Sequence, residues 1–279
     1  MTTTATSSDA AVTRPSWVSL TRDRTIVEIK EFVRSREQMI FIFGFPIIFL
    51  VLFGTIFGGQ QLGDTDVTFA QYFLAGMIAT GIINTGFQSL AMSIAIDRQE
   101  DILKRIHATP LPPSAFFTGK ILQVFIVSVI QVSILIAMGV AIYDVQLPSS
   151  STTWWTFVWV FVLGTATSTA LGIATSSLLR NGKAASAILT PVVLVLQFTS
   201  GVFVVFTQLP AWLQDFASVF PLRWLAQGMR SVFLPDYFAE AEASGTWQLP
   251  MTALMLAIWL VVGIVVAMRT FRWLRFDDK

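Results

Sequence analysis

Side chains able to do covalent chemistry are scarce in this sequence. It has no cysteine and a single histidine, His107. Thiol nucleophiles, disulfides and thiolate zinc sites are thereby excluded, and a histidine-rich metal centre cannot be assembled. Carboxylate pairs occur at Glu240 and Glu242 and at Asp277 and Asp278. Their setting is that of solvated loop charges rather than an acid–base pair. A phosphate loop needs G-x-x-x-x-G-K followed by Ser or Thr, whose hydroxyl holds magnesium. Here Ile121 follows Gly119-Lys120 and Ala184 follows Gly182-Lys183. No catalytic residue, no metal ligand set and no bound cofactor is expected on this chain.

What remains is the chemistry of polar groups in apolar surroundings. Residues 97–120, DRQEDILKRIHATPLPPSAFFTGK, form a long polar stretch with clustered positive charge between two apolar runs. Ile102, Leu103 and Ile106 make a helical apolar face beside Glu100, Asp101, Lys104 and Arg105, and Pro110, Pro112 and Pro113 stop the helix. A short amphipathic helix with a rigid stop suits a contact that takes force from a soluble partner. Spacing alone favours a plain polar loop with one helical turn. A second polar set lies inside the apolar runs. Thr80, Asn84 and Gln88 recur at every fourth position, and Gln123, Gln131 and Gln197 stand in later runs. Polar groups in lipid need partners, so each faces another helix or a substrate path.

The elements that position these residues follow from composition. The chain is 54% hydrophobic and only 13% charged, against about 25% charged in ordinary soluble domains. Six runs free of charged residues cover 39–57, 71–96, 121–143, 154–179, 184–206 and 251–268. A crossing takes roughly 20 apolar residues, and backbone groups in lipid must pair internally, so each run is expected to be a transmembrane helix. The expected architecture is an all-α membrane protein with one transmembrane domain over 17–270, a disordered tail at 1–16 and a short tail at 271–279. The first span acts as its own insertion signal, since no cleavage site of the A-x-A kind follows it. Of the 18 Lys and Arg, all but Arg223 and Arg230 fall on one side when both termini are cytoplasmic, which sets the expected orientation.

Three further patterns frame the spans. Residues 17–36 alternate apolar positions (Trp17, Leu20, Ile26, Val27, Phe32, Val33) with Arg22, Arg24, Lys30, Arg34 and Arg36. That is the pattern of a basic amphipathic helix in the membrane interface. Gly164, Ser168 and Gly172 give a small stripe on the fourth span that is compatible with a second copy approaching closely. Residues 207–250 hold two short amphipathic segments divided by Pro221. The second sets Arg223, Gln227 and Arg230 opposite its apolar side. A pair of short re-entrant helices on the outer side is expected. Pro46 and Pro191 should bend the first and fifth spans.

Residues 100–120, EDILKRIHATPLPPSAFFTGK, resemble the coupling-loop signature of type 2 ABC exporter permeases. The acidic start, the Leu-Lys-Arg core, the Ala108-Thr109-Pro110-Leu111 turn and the Gly119-Lys120 pair carry the likeness. Residues 199–210 (TSGVFVVFTQLP) are similar to the end of that family's fifth span, and 220–234 (FPLRWLAQGMRSVFL) to its second re-entrant segment. The resemblance runs from Trp17 onward and is strongest to the daunorubicin-resistance branch. Ile106 and His107 depart from the family pattern. The resemblance implies two permease subunits, a homodimer or a pair of paralogues, in the cell membrane with two cytoplasmic ATPases that carry ATP and magnesium. It implies ATPase contacts at Asp97, Glu100, Leu103, Lys104, Arg105, Ile106, Thr109 and Pro110, an external gate around Gly201, and export of a drug, lipid or polysaccharide; the 24 Phe and 9 Trp and the mild polar stripes favour a hydrophobic or amphipathic cargo, drug or lipid. Nucleic acid is not an expected partner.

An ion-coupled secondary transporter would keep ionisable residues inside the membrane, as would an intramembrane hydrolase. All six runs lack Asp, Glu, Lys, Arg and His, which counts against both, with the ion-coupled transporter kept as an alternative. A non-transporting membrane scaffold or sensor built on the exporter fold stays open.

Overall fold

The structure, a computed structural model, describes residues 15–63 and 65–271. Most of the expected tail at 1–16 and nearly all of that at 271–279, with Asp277 and Asp278, lie outside the described residues. Among the described residues the chain is helical, with no strand beyond one isolated bridge between Gln61 and Thr68. In order the helices are α1 (Trp17–Arg34), α2 (Arg36–Phe57), α3 (Phe69–Gln99), α4 (Ile102–His107), α5 (Pro113–Tyr143), α6 (Ser151–Ser176), α7 (Gly182–Thr199), α8 (Ala211–Ser218), α9 (Pro221–Phe233) and α10 (Leu249–Thr270). The six long ones, α2, α3, α5, α6, α7 and α10, are each long and apolar enough to cross a membrane.

Helix α3 is the hub. In its most apolar stretch 89% of residues are buried, against 17% in α10. It packs on α2, α5, α6, α7 and α9. Small residues make this possible. A side chain on Gly172 of α6 would meet the Gly86 carbonyl of α3 at 2.3 Å, and one on Gly86 would meet Ser168 at 2.7 Å. The Gly164, Ser168 and Gly172 stripe is therefore spent inside the chain. Gly164 faces Leu225 of α9, so the helices that approach this stripe belong to the same chain. At Asn84–Ser89 α3 widens into a π-turn against this contact.

Proline leaves a second mark on α2. Pro46 has no N–H to offer the carbonyl four residues earlier, and Ile40–Gly44 is a π-turn. The orphaned Ile42 carbonyl accepts a hydrogen bond from Gln131 Nε2 of α5 at 2.6 Å. Pro191 lies inside α7. Pro113 starts α5 rather than ending α4, filling the first-turn position where a missing N–H costs nothing. The fourth and fifth spans stop earlier than expected, at Ser176 and Thr199. After Thr199 the chain turns through Gly201 at φ +75°, a left-handed conformation that suits glycine.

Helices α3 and α5 each run 31 residues, about 47 Å at 1.5 Å per residue. That exceeds a hydrocarbon core of about 30 Å, so both project past it, and α4 joins their ends. The short helix α9 sits at the opposite end of the bundle. All of its 13 residues are buried, inserted among α3, α6 and α10. Helix α8 is the exposed half of the pair, with Trp212 at 70% exposure.

Candidate functional site

The turn from α3 into α4 is made at Asp101, which takes a left-handed conformation (φ +59°). Helix α4 is anchored from inside. Leu103 is fully buried in a cluster with Leu90 and Ile94 of α3, Phe116 and Val124 of α5 and Ile173 of α6; Phe117 and Phe271 pack on its edge. The Thr109 hydroxyl donates to the Ile106 carbonyl and closes the helix. Of the eight expected contact residues, Glu100, Lys104, Arg105, Thr109 and Pro110 are exposed and Ile106 is half-buried. Asp97 and Leu103 are turned inward. They hold the hairpin on the bundle instead of forming its outer surface.

Beneath α4 lies an ionic cluster that spacing did not reveal. Lys120 has no exposed surface, and its ammonium donates to Glu28 Oε2 of α1 at 2.9 Å and pairs with Asp97 Oδ2 of α3 at 2.8 Å. Arg24 pairs with the other oxygen of Glu28, and its guanidinium lies 5.0 Å from the centre of the Phe116 ring. Three helices are thus tied at one ammonium. Arg98, also buried, donates to the Ser176 carbonyl at the end of α6 at 2.8 Å. The signal available in the sequence was Thr21, Thr25, Glu28 and Phe32, one face of α1 at helical spacing. That mostly polar face packs on α5, while Ile26, Val27 and Val33 point outward. The apolar positions Ile26, Val27 and Val33 are thus left uncovered by the bundle.

A cavity of about 290 Å³ opens beside this cluster, between α1, α3 and α5. Glu28, Glu31, Asp97 and Glu100 line it, with Gln123 and Ser93. Partial burial raises the Glu31 carboxyl above the ordinary carboxylate range, and the nearby Glu28 charge pushes the same way. A second cavity of about 300 Å³ shares Ser35, Gln38, Ser89 and Ile96 with the first and runs to Gln88 and Ser186 of α7.

Most of the polar side chains expected within the spans bond between helices. Gln131 joins α5 to α2 and accepts from the Thr85 hydroxyl of α3 at 3.0 Å. Gln88 donates to Thr190 of α7 at 2.9 Å, and Gln197 to Asn84 at 3.4 Å. Thr80 is wholly buried. Gln123 alone of the six faces the acidic cavity.

At the far end a second charged cluster corrects one expectation. Arg223, Gln227 and Arg230 of α9 are all buried. Glu242, expected as a solvated loop charge, is only 6% exposed and receives both Nε and Nη2 of Arg230, at 2.6 and 3.2 Å. Arg230 Nη1 and the Tyr72 hydroxyl both donate to the Gly201 carbonyl, at 3.3 and 3.0 Å. Arg223 lies 4.0 Å from the Phe206 ring centre, a cation–π contact that shelters a desolvated charge. The turn after α7, α9 and the loop at Glu242 are thereby locked together.

Comparison with known proteins places this geometry. A family model described as ABC-2 type transporter matches residues 25–234, from α1 through α9. The chain is 27% identical over 212 residues to ycf38 of Porphyra purpurea, provisionally named a transport permease, covering 72% of this chain and 70% of that one. To ycf38 of Cyanophora paradoxa it is 24% identical over 229 residues, covering 79% and 75%. YbhR of Escherichia coli K12, provisionally named a multidrug ABC transporter permease, is 23% identical over 163 residues, 57% of this chain and 42% of YbhR. The match thus spans less than half of YbhR.

Proposed function

Because the chain belongs to the ABC-2 type transporter family, as a membrane permease subunit without a nucleotide site of its own, we propose that it is the translocating part of an ATP-driven exporter of hydrophobic or amphipathic compounds, drug or lipid. A separate ATPase subunit docks on the exposed side of α4, at Glu100, Lys104, Arg105, Thr109 and Pro110. Both termini and α4 lie in the cytoplasm, as the distribution of Lys and Arg favours. A second permease, identical or paralogous, completes the complex in the cell membrane.

The observation that carries this reading is how α4 is built into the bundle. Its outer side is charged and exposed, and its inner side is seated through Leu103 on α3, α5 and α6. A push on α4 therefore reaches the feet of three spans at once. The Lys120 cluster adds α1 to the same unit. At the far end the Arg230–Glu242 lock holds the turn at Gly201, the position where an outward gate would part. The multidrug name of YbhR supports a drug as cargo. Purifying the chain from its native host and identifying what accompanies it tests the reading. A soluble ATPase in equal amount supports it, and its absence counts against it.

A further inference from the structure

We propose that a groove between α5, α6 and α10 holds one resident phospholipid of the bilayer, with an acyl chain along the groove and an anionic headgroup at the Arg269 end. This lipid is a fixed component of the protein and not its cargo, and its binding does not depend on the exporter reading above. The groove encloses about 630 Å³, within the range of small-molecule sites. Phe117 and Ile121 of α5, Ala166 and Ile173 of α6, and Leu260 and Phe271 of α10 are among its walls. Among the described residues no charged side chain lines it, and the Thr169 hydroxyl on its wall is spent on the Thr165 carbonyl at 2.7 Å. It opens outward, since Ile121, Ile264 and Met268 line it and are 42%, 44% and 73% exposed. All three helices are long and apolar enough to cross a membrane, so the opening faces hydrocarbon. A void there forfeits dispersion contacts along every wall, and an apolar chain fills it.

Length and charge name the occupant. From Leu260 to Phe271 the groove follows α10 for about 16 Å, at 1.5 Å per residue. Half of a hydrocarbon core of about 30 Å is about 15 Å. The groove therefore suits the acyl chain of one leaflet, whereas a helix from another protein would need the full height. At its mouth stands Arg269, in the last turn of α10 beside the lining residues Met268 and Phe271. Arg269 is exposed and forms no ion pair among the described residues. The sequence beyond it adds Arg272, Arg275 and Lys279 against Asp277 and Asp278. Basic residues just past the end of a span attract anionic headgroups, with roughly a fivefold gain in affinity for each. Helix α5 starts at the same mouth with Pro113, and its N-cap Pro112 offers no side-chain bond, so the positive end of its dipole adds to the attraction. Phe117 and Phe271, with ring centres 4.8 Å apart, line the groove and also pack on the Leu103 cluster under α4. A chain packed on these rings braces the seat of α4.

The test is native mass spectrometry of the full-length chain released from detergent, titrated with dioleoyl phosphatidylglycerol or with dioleoyl phosphatidylcholine. The wild type should hold one phosphatidylglycerol, roughly twentyfold more tightly than phosphatidylcholine. Combining Arg269→Gln with Arg272→Gln should remove that preference, at roughly fivefold for each charge, and leave phosphatidylcholine binding unchanged. Ala166→Phe, which builds out the groove wall, should weaken both lipids by roughly tenfold or more. The arginine pair alters no lining residue, so it decides the matter even where Ala166→Phe does not fold. Val261→Phe, at an exposed position of α10 outside the groove, should change neither lipid. Phosphatidylglycerol bound no more tightly than phosphatidylcholine, or bound equally by the arginine variant, overturns the proposal. So does a wild-type dimer that Ala166→Phe separates with the lipid count unchanged, since a second copy would then cover the groove. The titration needs no ATPase, so failure of the lipid site and failure of the exporter reading are read separately.

Discussion

Replacing Lys120 with Met removes the ammonium that joins α1, α3 and α5 while keeping most of the side chain's length. Lys120 is wholly buried and Glu28 and Asp97 nearly so. Taking one partner from a buried pair costs about 3–5 kcal/mol, because the charge left behind has neither water nor a counter-ion. Arg24 still neutralises one oxygen of Glu28, so the lower end, about 3 kcal/mol, is expected. With roughly 2 °C per kcal/mol for large chains, the thermal midpoint in detergent should fall by about 6 °C. The informative comparison is the triple change Lys120→Met, Glu28→Gln, Asp97→Asn. It removes the stranded charges along with their partner and should recover at least half of the loss. Tryptophan fluorescence during a thermal ramp reads both. A single variant that melts with the wild type would refute a buried ion cluster. A triple variant that melts no higher than the single would show that shape, not charge, holds the three helices.

Two further outcomes follow from packing. Gly172→Ala drives a methyl toward the Gly86 carbonyl at 2.3 Å, with backbone on the other side and nothing to yield; a loss of about 1–3 kcal/mol is expected. Gly59→Ala, where nothing lies within 4 Å, should leave the thermal midpoint unchanged, and equal effects at the two positions would contradict the close contact of α3 and α6. Glu242→Gln strips the buried Arg230 and Arg223 of their shared carboxylate and should lower the midpoint by an amount similar to Lys120→Met, about 3 kcal/mol. If it melts as the wild type does, Glu242 faces water and the far-end lock is absent.

The six membrane helices were legible because lipid leaves a chain one choice: long apolar runs must be helical. Helix α4 was compatible with the spacing of Ile102, Leu103 and Ile106 and the prolines beyond, but that spacing fitted a plain polar loop at least as well, and only the resemblance of residues 100–120 singled it out. What spacing hides is which neighbour a face meets. Leu103 and Asp97 lie on the coupling stretch, yet both turn toward the bundle, because the left-handed turn at Asp101 folds α4 back on α3 and α5. Nothing in the pattern of α1 marked Glu28 for burial, since charged side chains are seldom buried unless paired. Here Glu28 meets Lys120, which sits seven residues into α5, a pairing of residues 92 apart that no local pattern encodes. The same blindness applied to Arg230 and Glu242, whose partnership needs α9 to be inserted into the bundle. The small stripe on α6 was visible, but its partner could as well have been another chain.

The central claim is that the exposed side of α4 is where an ATPase drives this permease. Leu103 is unsuited to test it, because a charge there would break the buried cluster. Lys104→Glu combined with Arg105→Glu changes only exposed positions. The first measurement is therefore the amount of ATPase recovered with the detergent-solubilised chain from its native host, wild type against this double variant. An ATPase recovered in equal amount with the wild type and largely lost from a variant that still inserts and melts normally is the predicted result. An ATPase held equally by both, or recovered with neither, would contradict the claim.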